Sequence, residues 1–463
     1  MKTLNNFVKL SLVALFAAAC GPATTGTQNQ MSADEVQTVM VGQTVTVAKP
    51  SPAVPGVNVP AIKVNTVGYP TGWSKMVIFN VDPKGAVVKN AAGQVVLNIT
   101  DALVKNYGKD EASQDPVWQV DITSVDSPGT YTVQVGNQVS DPFVVDEYWK
   151  VNQKAIVALV KSFYFQRTRT SLDMPWAQWD GDQYLRKGVS HAHDEVGWDY
   201  NFWPDKKEKW QKSADKLWWP GEQLKKGWFD AGNFDMYIDS TGPSTQILLT
   251  AYMLSPDLFV DKDQNIPESG NGVPDLLDEC TWGLDWIMSI QQKDGGFRHS
   301  EAVRAWTSVI PADKDDTERW IRGVSSSSTA KAVSVLAMAS QIYKNFPAYA
   351  EMAANYEKAA KLGWEWLKKN TDHIRADGKG SPQPLWDDGE GLNDKGARFA
   401  AASEMWLRFR DQSALEVVRS MIFKEKLAEV TDVKIITTGS WVNISRYGLA
   451  NLALDTQTPD DVK

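Results

Sequence analysis

Two hydrophobic periods divide the chain. Between residues 60 and 146, apolar side chains come in short runs: Ile62-Lys-Val64, Met76-Val-Ile-Phe79, Val95-Val-Leu97, Val117-Trp-Gln-Val-Asp-Ile122, Thr130-Tyr-Thr-Val-Gln-Val135 and Phe143-Val-Val145. β-Branched residues dominate these runs, and Gly, Pro, Asn and Asp separate them. Short strands bounded by turn residues predict a small β-sandwich. From about residue 150 the period becomes that of a helix, about 3.6 residues. Ile156, Leu159, Val160, Phe163 and Tyr164 share one helical face, and Ile247, Leu248, Ala251 and Tyr252 another. A third helix is expected from Pro274, with Leu276, Leu277, Cys280, Leu284 and Ile287 on its apolar side. Asp275, Asp278 and Glu279 in its first turn suit the positive end of the helix dipole. Further stripes are Ala332-Val335-Leu336-Ala339-Ile342, Tyr356-Ala360-Trp364-Leu367, Phe399-Ala402-Trp406-Phe409 and Leu415-Val418-Ile422, with a last candidate over 441–454. No strand-rich stretch stands out in this half. The expected fold is therefore multidomain, a β-sandwich over 60–146 followed by an all-α domain over 150–463.

Composition narrows the function. The 463 residues suffice for more than one domain, and the net charge of −9 with 23% charged residues marks a mildly acidic, soluble protein. Nucleic acid, which needs a basic face, is excluded as a partner. The 20 tryptophans are an unusual number, and a Trp-rich core accounts for more than half of them. Flat aromatic faces also stack on sugar rings, so a carbohydrate partner fits this surplus. At the start, Lys2 and Lys9 precede an apolar stretch, Leu10 to Ala19, that ends in Ala-Ala-Ala-Cys. Such a stretch is a secretory signal, too short for a stable membrane span. With Gly21 after Cys20 it resembles a bacterial lipoprotein box, although Ala17 stands where that box more often has Leu. Residues 1–20 are thus expected to direct export and leave Cys20 lipidated, anchored at the outer membrane or cell surface; the alternative is an ordinary cleavage site with an incidental cysteine and a secreted protein. Residues 21–59, with Pro50, Pro52 and Pro55, read as a flexible tether. Cys280 is the one other cysteine, so the mature chain builds no disulfide framework and no thiolate metal site.

Residues 226–238 read Lys-Gly-Trp-Phe-Asp-Ala-Gly-Asn-Phe-Asp-Met-Tyr-Ile. Asp230-Ala-Gly-Asn233 is a tight turn whose small residues allow a close backbone approach. Taken alone, Asp230 would be a turn-capping aspartate. The run resembles the GWYDAGDY-type motif of the family-9 glycoside hydrolases, the inverting cellulases. Other runs carry the same resemblance. Val64-Asn-Thr-Val-Gly-Tyr-Pro70 and Ser140-Asp-Pro-Phe143 are similar to the immunoglobulin-like module that precedes many of their catalytic domains. Phe163-Tyr-Phe-Gln-Arg167, Ser190-His-Ala-His-Asp-Glu-Val196, Ile266-Pro-Glu-Ser-Gly-Asn-Gly-Val-Pro-Asp-Leu-Leu-Asp-Glu279, Asp294-Gly-Gly-Phe-Arg-His299 and Ser327-Ser-Thr-Ala330 each match a family segment. The resemblance implies an immunoglobulin-like domain followed by an (α/α)6 barrel, incomplete at its C-terminus. It implies a monomer that hydrolyses β-1,4-glucan with inversion and needs no cofactor.

Inversion needs a base to activate water and an acid, roughly 6.5–9.5 Å away, to protonate the leaving oxygen. The resemblance places the base at position 233, where this chain has Asn233. An amide does not take a proton from water, so Asp230 is left to orient it. The family's acid, a glutamate in a C-terminal Asn-Glu segment, has no counterpart here. Glu390, Glu404, Glu425 and Glu429 read as solvated helix charges. His299, Trp306 and Trp320 are candidate substrate-binding residues, with a surface histidine the rival reading for His299. His191, His193 and His373 complete the histidines. Some relatives hold zinc with two Cys and two His near this point, but Thr168 and Ala192 stand in place of the cysteines, so no metal ligand set is expected. Structural calcium is allowed by Asp261-Lys-Asp263 and Asp313-Lys-Asp-Asp316, which read better as acidic surface loops. Three functions follow: an impaired glucan hydrolase, a non-catalytic glucan-binding surface protein, or a shortened chain with exposed apolar stripes.

Overall fold

The computed structural model describes residues 59–190, 198–201, 211–212, 224–303, 310–315, 317, 319–376, 392–431 and 444–463. The chain divides into two compact units at Leu159 and Val160. In the first, the expected strands form: β1 (Ile62–Lys63), β2 (Tyr69–Pro70), β3 (Met76–Phe79), β4 (Val87–Asn90), β5 (Val95–Asn98), β6 (Val104–Lys109), β7 (Pro116–Asp121), β8 (Gly129–Val135), β9 (Gln138–Val139) and β10 (Phe143–Asp146). One sheet has the order β1-β3-β7-β6, and the other β2-β10-β8-β4-β5, with β9 added to β8. Alternation decides what is inside. Val77, Phe79, Val88, Val120, Tyr131, Val133, Phe143 and Val145 fill the core. Tyr69 meets Phe143 edge-on, with ring centroids 5.2 Å apart. Its hydroxyl donates to the Met76 carbonyl at 2.7 Å, which satisfies the one polar atom the ring carries inward.

The second unit is helical, as the 3.6-residue period requires. Its helices are α1 (Tyr148–Gln166, which begins before the division), α2 (Ile238–Leu254), α3 (Asp275–Ser289), α4 (Ser326–Tyr343), α5 (Ala350–Lys369), α6 (Leu392–Phe409), α7 (Gln412–Arg419) and α8 (Ser445–Leu454). Helix α4 packs against α2, α5 and α6, and α8 packs against α6. The sequence predicts one apolar stripe on α4, but every residue of it except Gln341 is buried. Its serines and alanines are small enough for neighbours to close on all sides. Gly363 lets α5 do so, since a Cβ there would lie 2.6 Å from Val333 Cγ2.

Three expectations change. The unit is not purely helical. A ribbon of β11 (Gln178–Trp179) and β12 (Asp182–Gln183) precedes a five-stranded sheet of β13 (Trp198–Asn201), β14 (Gln211–Lys212), β15 (Met236–Tyr237), β16 (Ser300–Val303) and β17 (Arg319–Ile321). These five strands are two to four residues long, too short for alternation to show in sequence. Glu404 is not a solvated charge: it is fully buried, bonded to Arg408 at 2.8 Å and to the Asn451 amide at 2.6 Å. Finally, no apolar stripe lies open on the described helices. Met253, Leu362 and Leu454 are single exposed positions on α2, α5 and α8, and Phe423 follows α7. The tail after α8 is pinned by Arg410–Asp455 and Arg419–Asp461 ion pairs, and Thr458 and Val462 are buried.

The loop before α3 supplies a pH test. Burial pushes the Asp263 carboxyl up to about 6 from 3.8, and Asp275 and Asp261 add to the rise. The folded state therefore keeps a proton that the unfolded state releases. Stability from this group is full below about pH 4 and falls as pH rises through 6. Asp263→Asn removes that loss, so the variant should melt slightly higher than the native protein near pH 8 and not near pH 4. Solvent screening limits the gain to under about 1 kcal/mol. An equal shift at both pH values in thermal melts would contradict burial of the Asp263 carboxyl as the cause.

Candidate active site

The Lys226–Asp235 loop lies between the end of α1 and the small sheet. Backbone bonds tie it to α1: Thr168 N donates to the Gly227 carbonyl at 3.0 Å and Phe229 N to the Gln166 carbonyl at 3.0 Å. Gly227 has φ of 107°, and a Cβ there would lie 2.5 Å from Met236 Sδ, so only glycine serves. Trp228 anchors the loop from below. Its indole N–H donates to Glu279 Oε1 at 2.8 Å. Glu279 is also gripped by Arg167, whose Nη2 lies 2.8 Å from its Oε2, and Arg167 reaches Glu268 at 3.0 Å. The ends of two matched segments, Phe163–Arg167 and Ile266–Glu279, are thereby joined through one buried guanidinium.

Past Trp228 the chain turns outward and back. Asp230 N donates to the Asp235 carbonyl at 3.0 Å, which closes the turn, and Phe234 sits at φ 59°. Asp230 is exposed at the top, and no described residue occupies the space a Gly232 Cβ would take. Asn233 is buried, with 8% of its surface exposed. Its amide N–H donates to Asp235 Oδ2 at 2.6 Å, and its Oδ1 has no hydrogen-bond partner among the described residues. Asp235 also accepts from the Tyr237 hydroxyl at 2.9 Å and faces Arg319 Nη1 at 3.5 Å. Arg319 further bonds Asp315 at 2.8 Å and the Asn233 carbonyl at 3.1 Å. Burial drives the Tyr237 phenol well above its ordinary range, so it remains a donor.

A second polar layer lies under β15 and β16. His299 Nδ1 is 3.1 Å from Asp239 Oδ2 and 3.0 Å from Ser328 Oγ, and its ring meets Tyr237 edge-on at 5.6 Å. Lys331 Nζ lies 2.5 Å from Asp239 Oδ1. Burial alone would raise the Asp239 carboxyl; Lys331 and His299 outweigh it and hold it below its usual value. Beside them Glu301 pairs with Arg169 and accepts from the Trp286 indole at 3.0 Å. His299, Asp239, Lys331, Glu301 and Trp286 are fully buried and make a base for the loop.

The structure thus brings Asp230 and Asn233 into one turn. His299 is completely buried, so neither a cleft-lining nor a surface histidine describes it. Trp320 lies in β17, its side chain outside the described set; Trp306, Glu390, His191 and His193 lie outside the described residues, as does the Glu429 side chain. Asp315, considered for calcium, is spent on Arg319. Asp261 caps the backbone N–H groups of Gly270 and Gly272 at 2.5 and 3.0 Å. Among the described residues no group of three or more His, Cys, Asp or Glu is arranged to hold a metal. Asp235, Arg319, Asp239 and Lys331 do not stand out in the sequence. Asp235 is visible there, two residues past Asn233, but its partner Arg319 is distant in the chain.

Chemically, Asp230 can orient a water on the open side of the turn. Asn233 holds its N–H against Asp235 and offers no base. Comparison with known proteins identifies the family. The family model for glycosyl hydrolase family 9 matches residues 148–458, and that for the cellulase N-terminal Ig-like domain matches 58–140. Endoglucanase D of Acetivibrio thermocellus is 27% identical over 396 residues, covering 84% of this chain and 57% of that protein. A xyloglucan-specific endo-β-1,4-glucanase of Bacteroides ovatus is 26% identical, over 67% of this chain and 50% of that one. The chain thus spans 50–57% of the length of these relatives. A metagenome-derived family-9 endoglucanase structure superposes with a TM-score of 0.64 at 28% identity, over 86% of this chain and 69% of the other. A Bacteroides ovatus family-9 structure, with a TM-score of 0.68 at 22% identity, shares the fold over 87% of this chain and 70% of its own. The helical unit carries the family's fold, and the chain belongs to glycosyl hydrolase family 9, preceded by a cellulase-type immunoglobulin-like domain.

Proposed function

We propose that this protein engages β-1,4-glucan at the Asp230 turn, as a cellulase-type hydrolase slowed by the amide at position 233. The observation that carries this is the Asn233 amide, turned into Asp235 and unable to take a proton, beside an exposed Asp230. Family membership supplies the substrate class, and the printed names of the relatives, an endoglucanase and a xyloglucan-specific endoglucanase, agree with it. The same amide favours a second reading, a surface protein that binds glucan without cleaving it. Two measurements separate them: calorimetric binding of cello-oligosaccharides, and reducing-sugar release from soluble β-1,4-glucan. Binding should persist. Cleavage should run about 10²–10⁴-fold below that of a relative with an aspartate at this position. Rapid cleavage that Asp230→Ala abolishes would show that another carboxylate serves as base, and would sink the slowed reading.

Export belongs to the same proposal. The apolar stretch ending at Cys20 supports a lipid-anchored protein acting at the cell envelope. Cys20→Ser should move the protein from the membrane fraction to the soluble one. An unchanged fractionation would exclude the anchor.

A further inference from the structure

The small sheet lines up three polar side chains beside the Asp230 turn. Tyr237 of β15 stands opposite Ser300 of β16. Glu301 of β16 stands opposite Ile321 of β17, and Arg322, the next residue, donates its backbone N–H to the Ser300 carbonyl at 2.9 Å. Residues opposite each other on antiparallel strands put their side chains on the same face. Tyr237, Ser300 and Arg322 therefore form one row. The Tyr237 hydroxyl is used, since it donates to Asp235 at 2.9 Å. Ser300 is fully buried, and its hydroxyl has no hydrogen-bond partner among the described residues.

Arg322 is the unusual member. Its side chain is half-buried, with the guanidinium 5.9 Å from the Tyr237 ring centre, which is cation–π range. Among the described residues it makes no side-chain hydrogen bond and no ion pair. The arginines packed around the same loop behave differently: Arg167 is bound to Glu279, Arg169 to Glu301 and Arg319 to Asp315. A guanidinium carries five N–H donors and no acceptor. Holding it half-buried without a partner costs solvation that a bound ligand would return. It is also close enough to the turn to be felt there. Burial does most to raise the Tyr237 phenol; Arg322 opposes that rise and Asp230 adds to it, so both charges act on one hydroxyl. Asp230, when ionised, is acceptor only. A sugar hydroxyl both donates and accepts, so neighbouring hydroxyls on one ring suit a donor-only group and an acceptor-only group placed together.

We propose that Arg322 is a glucan-binding residue that works with Asp230, its guanidinium donating to hydroxyls of a sugar ring seated at the turn. This role rests on the β-1,4-glucan reading given above and adds a second contact to it. Lysine would keep the charge but not the planar fork of donors.

The test titrates a cello-oligosaccharide into the full native chain, Arg322→Met and Arg322→Lys by calorimetry, with thermal melts of all three. Arg322→Met should weaken binding roughly tenfold, about the worth of one charge-assisted hydrogen bond. Its melting temperature should stay near that of the native protein, because no described group loses a partner. Arg322→Lys should recover part of the affinity. Monodeoxy derivatives of the same oligosaccharide separate contact from packing. The native chain should bind at least one of them more weakly than the parent sugar, and Arg322→Met should bind that derivative and the parent alike. Unchanged affinity in Arg322→Met overturns the role. So does a methionine variant that reads every hydroxyl as the native chain does, or one whose affinity falls only as far as its fold is lost. If Arg322→Met does not fold, Arg322→Lys decides by the same comparison: weaker binding with altered hydroxyl preference supports the role, and native behaviour overturns it. A native chain that binds no cello-oligosaccharide rejects the proposed function and the role of Arg322 with it, whereas binding that ignores Arg322 rejects the role alone.

Discussion

Replacing Arg167 with methionine should destabilise the helical unit by roughly 3–5 kcal/mol, the usual cost of removing one partner from a buried ion pair. Arg167 is 1% exposed and bonds Glu279, also 1% exposed, through both Nε and Nη2. The same guanidinium bonds Glu268 at 3.0 and 3.1 Å and lies 4.3 Å from the Trp282 ring centre. Methionine keeps much of the volume but leaves Glu279 charged and buried with the Trp228 N–H as its remaining strong donor. The damage reaches the site through that indole, because Trp228 carries the loop that presents Asp230. Arg167→Met should therefore lower both the melting temperature and cello-oligosaccharide affinity. Arg167→Met with Glu279→Gln should recover a large part of the stability, since the stranded charge is the main cost. A single-variant loss below about 1 kcal/mol in urea titrations would mean that water reaches Glu279 and that the cluster is not sealed.

This cluster also shows what was legible in the sequence and what was not. The Phe163–Arg167 and Ile266–Glu279 segments are each recognisable as family motifs, and the change of hydrophobic period between the sandwich and the helices is read directly from residue spacing. Nothing local says that Arg167 and Glu279 meet, because 112 positions separate them and only the folded chain brings the residue after α1 to the first turn of α3. The small sheet escapes notice for the opposite reason. Its strands are too short to show a period, and they form because loops converge beside the site. Helix α4 is legible, but its burial on all faces is not: a stripe of larger residues marks one side, whereas serine and alanine on the other sides admit a neighbour without announcing it. At the site, Asp230 and Asn233 stand out by position in a motif. Asp235 does not, since its importance comes from a 2.6 Å contact and from Arg319 on β17. His299 misleads because a histidine after a Gly-Gly turn looks exposed, while its Asp239 and Ser328 partners lie on α2 and α4.

On β-cellobiosyl fluoride, whose leaving group departs without a proton, Asn233→Asp with Asp235→Asn should raise the rate by about 10²–10⁴-fold over the native chain. The fluoride isolates the base, because no acid is asked to act. The double variant supplies a carboxylate at 233 that is free to accept a proton from water, with Asp230 exposed beside it to orient that water. Asn233→Asp alone should gain less near neutral pH, since it places the new carboxyl against the Asp235 carboxylate, which disfavours its ionised form. On soluble glucan the double variant should gain less than on the fluoride. Protonating the glucosidic oxygen is a separate contribution of similar size, and no carboxyl group of this chain has been assigned to it. The two contributions need not multiply, because groups that act together in one step are not additive. Initial rates of fluoride release and reducing-sugar release for the native chain, each single variant and the double variant, compared at matched folded fraction, decide the matter. If the double variant binds cello-oligosaccharide yet hydrolyses the fluoride no faster than the native chain, position 233 is not where this protein needs its base. Asp230 would then be the next carboxylate to remove.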